Sequence, residues 1–431
     1  MSSTSRPALV ALVLVGAALV ATLALTTPWT PLPASARDRV AVDVHRDFTS
    51  AEIAREQAFH RAVRPPAYAS LVLGLAAAAV LGLTSAGARL VELVARPLGG
   101  GWAARAAVGG LVVTLVVRLV ALPFDAWTET VLRRYKLSTQ QWGGWLLDQL
   151  RGFGVAAVLV VLGMLAFYAL VRASPARWWL PASLAAAVLT LVLSFGYPLV
   201  VEPLFNKFTA LPDGPVRTSL LQLAASDHVH VDRILVADAS RRTTALNAYV
   251  SGFGGTKRIV LYDTLLSSAS PAEVRLVVAH ELGHAKRQDV LHGTIEGALA
   301  VAAGACLLFL ISSWAPLLRR SGVPGLGDAR SVALVLFLVT ALGTLGGPVQ
   351  NLVSRRIEAR ADVHALDLTR DPTTFAASER RLALANLDDL SPNPILYGLF
   401  FDHPSSPERI ALARTWARRN GVPVSPAQVG R

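Results

Sequence analysis

Only one of the 431 residues is cysteine, Cys306, and it falls inside an apolar run. No disulfide framework exists, so nothing in the sequence demands an oxidising compartment. Charge is scarce as well: Asp, Glu, Lys and Arg make up 16% of the chain against 53% hydrophobic residues, a balance that excludes an ordinary soluble protein of this length. Acidic residues number 29 against 41 basic ones, a net charge of +12. No basic run alternates with aromatics, so the excess is not the footprint of a nucleic-acid-binding protein. Internal repeats are absent, and so are low-complexity tracts beyond Ala, Leu and Val enrichment of the apolar runs.

What is abundant is apolar sequence in blocks near the ~20 residues that cross a bilayer as a helix. Seven candidate spans follow: Ala8 to Thr26, Ala67 to Thr84, Ala106 to Leu122, Gly152 to Val171, Trp179 to Val200, Leu291 to Trp314 and Ser331 to Val349. A buried soluble helix explains one such run but not seven. Arg118 sits inside the third and is costly in lipid, so it is expected to face a protein interior or a water-filled cavity. With the amino terminus outside, 31 of the 41 Lys and Arg residues fall on cytoplasmic segments and 9 on the opposite side, the sense of the positive-inside rule. The expected product is a multi-pass protein of the plasma (cell) membrane, with 201–290 and the carboxyl tail in the cytoplasm. The first apolar run has a second reading, a cleaved signal peptide, since Ala34, Ser35 and Ala36 resemble a processing site.

The chain divides into a membrane module of five spans (1–200), a soluble strand region with a motif-bearing helix (201–290), two further spans (291–350), and a helical carboxyl-terminal segment (351–431). Ala51 to Val63 reads as an amphipathic helix near the membrane surface, and Trp127 to Arg151 has a composition suited to the water–lipid boundary. Arg233 to Ala237, Asn247 to Ser251 and Arg258 to Tyr262 read as strands, with Gly252-Phe253-Gly254-Gly255 as the turn between the last two. Ser270-Pro271-Ala272-Glu273 starts a helix, with an N-cap serine, proline at the first position and glutamate at the third. Two more helices are expected at Asn351 to Arg370 and Thr374 to Asn386.

The chemistry is concentrated in His280-Glu281-Leu282-Gly283-His284. Two histidines four apart on a helix point from one face and suit one Zn²⁺, while Glu281 beside them is placed to take a proton from water. A catalytic zinc needs a third protein ligand. Glu358 and Asp362 share a helix face in Ser354-Arg355-Arg356-Ile357-Glu358-Ala359-Arg360-Ala361-Asp362. From spacing alone they are either a third ligand with a carboxylate orienting a ligand histidine, or a solvated face paired with Arg355 and Arg356. His228 and His230 also share a face if extended, but no carboxylate or cysteine at ligand spacing accompanies them, and they read as solvated.

These residues resemble the integral-membrane zinc metallopeptidases of the type I CAAX prenyl endopeptidase family, with HtpX as a more distant relative. The second motif of that family, Glu-x-x-x-Asp, is matched at Glu358 and Asp362. Pro203-Leu204-Phe205-Asn206-Lys207-Phe208-Thr209, Asp238 to Arg242 and Asn247-Ala248-Tyr249 extend the similarity. The resemblance implies an α-helical multi-span membrane protein of about seven helices with a small α+β zincin-type protease domain. It implies one Zn²⁺ on His280, His284 and Glu358, and spans that enclose a large chamber. It further implies that Asn247, Ala248 and Tyr249 pair with an extended substrate, and that His403 and Arg409 face the cleft and stabilise the oxyanion. The expected function is endopeptidase cleavage of membrane-associated, prenyl-like or membrane-protein substrates, with peptide or protein substrates and the bilayer as partners. The alternative is a non-catalytic membrane scaffold or transporter that retains the fold.

Overall fold

The computed structural model of the chain describes residues 5–231, 233–251 and 257–424. Its helices are α1 (Ser5–Thr26), α2 (Val44–Asp47), α3 (Ser50–Leu83), α4 (Ser85–Ala95), α5 (Trp102–Arg134), α6 (Trp142–Ala173), α7 (Trp179–Gly196), α8 (Glu202–Phe205) and α9 (Pro215–Ser226). These are followed by α10 (Asp263–Ser268), α11 (Pro271–Arg287), α12 (Asp289–Ser312), α13 (Ala315–Arg320), α14 (Val332–Thr369), α15 (Pro372–Asn386), α16 (Pro394–Phe400) and α17 (Ser406–Asn420). Among the described residues, seven helical segments are long and apolar enough to cross a membrane, the number expected from hydropathy. The fifth combines α7 and α8 through a π-helical turn at Tyr197–Val201.

Neighbouring spans form a closed ring, α3, α5, α6, α7, α12 and α14, and α1 packs along α12. The Thr26 hydroxyl donates to Glu296 at 2.7 Å, which ties the first apolar segment into the bundle. Arg118 is satisfied by protein groups: it pairs with Asp125 on its own helix and with Gln149 of α6, and Ser70 of α3 donates to Asp125 at 2.7 Å. An intramembrane charge is tolerable under those conditions. Gly82 is where α3 approaches α14; a Cβ there would lie 2.5 Å from the Phe337 side chain.

The helices overshoot the apolar runs. Ala51 to Val63 and the second span are one helix, α3, 34 residues long, rather than a surface helix followed by a span. A complete capping box at Thr49 and Glu52 starts it, and Pro65 and Pro66 remove two helical donors without ending it. Burial of Phe59 against Val131 and Leu387 before the prolines, and of Gly74, Ala78 and Gly82 after them, holds the axis across the gap. Likewise the helix expected at Asn351 to Arg370 is not separate: it continues the last span as α14, because backbone hydrogen bonding does not stop where lipid contact stops.

The soluble half is built on a sheet of β1 (Phe208–Ala210), β2 (Arg233–Ala237), β3 (Ala248–Ser251) and β4 (Arg258–Tyr262), ordered β1-β2-β4-β3. Strands β2 and β4 are parallel; β1 and β3 add antiparallel edges. The expected turn at Gly252 to Gly255 lies outside the described residues. Leu220, Leu223, Ile259, Leu261, Leu265, Val278, Leu282 and Trp416 form the core, which also takes in Leu366 from the end of α14. The last span therefore runs directly into the soluble core. A bridge between Ser138 and Thr243, and a hydrogen bond from Val40 N to Thr415 Oγ1 at 3.0 Å, place the α1–α3 and α5–α6 connections at the same end of the bundle.

Candidate metal centre and active site

Helix α11 starts as its sequence dictates. Ser270 Oγ accepts from Glu273 N, Glu273 Oε2 accepts from Ser270 N at 2.7 Å, and Pro271 occupies the first turn. Val274, Val278 and Leu282 are buried beneath it at helical spacing, His280 and His284 project from another face, and Glu281 lies between the two. From the end of the last span, α14 delivers Glu358 and Asp362 to the same place.

The resulting geometry is compact. His280 Nε2 lies 3.1 Å from both Glu358 Oε2 and His284 Nε2, and His284 Nε2 lies 3.6 Å from Glu358 Oε1. The other ring nitrogens meet carboxylates: His280 Nδ1 is 2.8 Å from Asp362 Oδ1, and His284 Nδ1 is 2.9 Å from Asp289 Oδ2. Burial disfavours charge on His280, but its hydrogen bonds to Asp362 and Glu358 prevail and raise its pKa to about 9. Burial lifts Glu281 above the ordinary carboxylate range.

Among known proteins, residues 210–417 match the family model described as Peptidase family M48, and residues 34–207 match the one described as CAAX prenyl protease N-terminal, five membrane helices. A Bacillus subtilis protein named uncharacterized metalloprotease YhfN is 33% identical over 305 residues, 70% of this chain and 71% of its own length. The chain belongs to peptidase family M48.

A rice CAAX prenyl protease 1 homolog is 37% identical over 236 residues, with 52% of each protein covered; the match spans about half of that relative. The crystal structure of S. mikatae Ste24p shares the fold, with a TM-score of 0.73 at 21% identity over 96% of this chain and 99% of that one. As an M48 member the chain is a zinc-dependent metalloendopeptidase whose substrates are peptides or proteins, and the five-helix match with the apolar helices makes it an integral multi-pass membrane protein.

The donors fit that metal. With both Nδ1–H groups donated to carboxylates, the two Nε2 lone pairs and the Glu358 carboxylate converge, all within 4.8 Å of one another. Such acceptors repel unless a cation or proton lies between them, and a tetrahedral zinc site has donor–donor edges of roughly 3.3 Å, close to those seen here.

The remaining expected residues are placed as follows. Asp362 is fully buried, behind His280 rather than in the cleft, and Arg409 Nε donates to it at 2.8 Å. Arg409 lines the cavity, with its guanidinium paired to Asp362 and, at 2.8 Å, to Glu379. His403 does face the cleft, with its ring half-exposed, Nε2 3.4 Å from Glu358 Oε2 and Nδ1 2.9 Å from Asp402. Although burial opposes it, the Asp402 hydrogen bond raises the His403 pKa and favours the donor form.

Strand β3 is the sheet edge nearest the motif. Tyr262 N donates to Asn247 O, so by antiparallel alternation the backbone of Asn247 and Tyr249 faces β4 while that of Ala248 and Val250 faces outward. Val250 N donates to Glu281 Oε2 at 3.1 Å. The Tyr249 hydroxyl turns to Glu202, away from the cleft, whereas Asn247 and Ala248 line a cavity of about 460 Å³ shared with His280, Glu281 and His403. Sequence reasoning missed Val250, Asp289 and Arg360, which pairs with Asp289. Asp289 lies five residues beyond His284, off its face in a continuous helix. Gln288, in the left-handed region at φ 57°, breaks the helix and brings it back.

Proposed function

We propose that this chain hydrolyses peptide bonds of membrane-associated proteins, lipid-modified ones included, at the cytoplasmic face of the plasma membrane. The convergence of His280, His284 and Glu358 beside Glu281, at the end of a membrane helix, carries the reading. An extended substrate segment adds to β3 through the outward backbone of Ala248 and Val250, displacing the amide of Val250 from Glu281. His280, His284 and Glu358 hold the zinc, while Asp362 and Asp289 fix the two imidazoles by their Nδ1–H groups. Zinc bound there supplies Lewis-acid polarisation of the scissile carbonyl and acidifies water. Glu281, its proton affinity raised by burial, takes the proton of the attacking water and returns it to the leaving amine. His403 donates to the oxygen that becomes negative.

The name of the rice relative, CAAX prenyl protease 1 homolog, favours a lipidated substrate. The distribution of Lys and Arg supports a cytoplasmic active site. The test compares a prenylated and an unmodified peptide of one sequence in proteoliposomes. A KM at least tenfold lower for the prenylated form is expected; equal values for both would move the assignment to general turnover of membrane proteins.

A further inference from the structure

The segment joining the first two spans ends in a clamp on the helices behind the metal site. Asp47, at the end of α2, is fully buried and takes both terminal nitrogens of Arg414 on α17, one at 2.8 Å. Its carbonyl oxygen accepts from Arg380 Nε of α15 at 2.7 Å, and Arg380 also donates to Glu52 at 2.6 and 2.8 Å. Phe48, 1% exposed, plugs the gap between the same two helices, against Ala376 and Ala383 of α15 and Ile410 of α17. On the other side of that pair of helices, the adjoining residues Glu379 and Arg409 are joined at 2.8 Å, and Arg409 continues to Asp362 and His280. Each helix thus has a clamp residue next in sequence to one that supports a metal ligand: Arg380 beside Glu379, Ile410 beside Arg409.

A buried ion pair adds little net stability compared with apolar residues of the same volume, but it admits few geometries. We propose that Asp47 and Phe48 are positioning residues for the metal centre, setting α15 and α17 so that Arg409 meets Asp362 and locks His280. The inference rests on the reading of Asp362 and Arg409 as supports of a zinc-ligating His280. It makes the site dependent on a segment of the membrane module.

The test is zinc release to a chelator from the full-length protein in detergent, read beside the thermal midpoint and the kcat and KM for a peptide. For Asp47→Asn the expectation is about tenfold faster release, with kcat reduced and KM unchanged. The charge swap Asp47→Arg with Arg414→Asp is expected to restore retention. Phe48→Leu keeps the gap apolar and is expected to speed release two- to threefold, which covers the case in which Asp47→Asn does not fold. A lower midpoint with wild-type zinc release in the folded variants overturns the proposal and leaves the clamp structural. Arg409→Lys and Asp362→Asn serve as controls: if neither changes release, the underlying reading of His280 fails instead.

Discussion

His284 Nδ1 lies 2.9 Å from Asp289 Oδ2, across the break between α11 and α12, and Asp289 is held in turn by Arg360 of α14. The second histidine of the motif therefore has its own carboxylate, as His280 has Asp362. Asp289→Asn is expected to weaken zinc binding by about ten- to a hundredfold, measured by competition with a chelator of known affinity. Unchanged affinity would show that Asp289 does not hold the ligand.

Gly283 lies within the motif because α14 passes over it. A Cβ at this position would stand 3.1 Å from Cβ and Cδ2 of His364, and His364 is pinned by Asp227 at 2.9 Å. Gly283→Ala is expected to destabilise the fold by about 1–3 kcal/mol, seen as a lower thermal midpoint in detergent. An unchanged midpoint would mean that the α11–α14 contact yields more readily than its geometry suggests.

Asp388 gives the stability a pH dependence. Burial raises its pKa from 3.8 to about 6, and its hydrogen-bond partner is Ser406 at 3.3 Å. Between about pH 4 and 6 the folded protein holds a proton that the unfolded chain releases, so this group's contribution falls as pH rises through that window. The loss is on the order of 3 kcal/mol above it. Asp388→Asn is expected to flatten that part of the profile of thermal midpoint against pH; a profile that keeps the wild-type slope would assign it to other groups.

The motif was legible because it is local: a helix places two histidines four apart on one face wherever it sits, and the capping box marks where it begins. The seven spans were legible for a similar reason, since each needs only its own apolar length. Glu358 was legible in part, for its spacing to Asp362 indicates one face but not what that face meets 78 residues from His280. Arg409 was legible only through the family resemblance, which gives a residue's neighbourhood; it does line the cavity, while its pairing with Asp362 and Glu379 had no signal in the sequence. Asp289 left no periodic signal, since a single residue at positive φ moved it onto the site. Helix lengths were underestimated because hydropathy registers lipid contact, and α3, α5 and α14 carry their hydrogen bonding beyond it.

The central claim is that Glu281 is the base of a zinc peptidase. The most direct measurement compares zinc content and peptide cleavage in detergent for the wild type and Glu281→Gln. About one zinc per chain is expected in both proteins, with cleavage reduced by about a thousandfold or more in the variant, in the upper part of the roughly 10²–10⁴-fold that a general base contributes, because the same carboxylate serves both proton transfers. A variant that holds zinc and cleaves at the wild-type rate would contradict it.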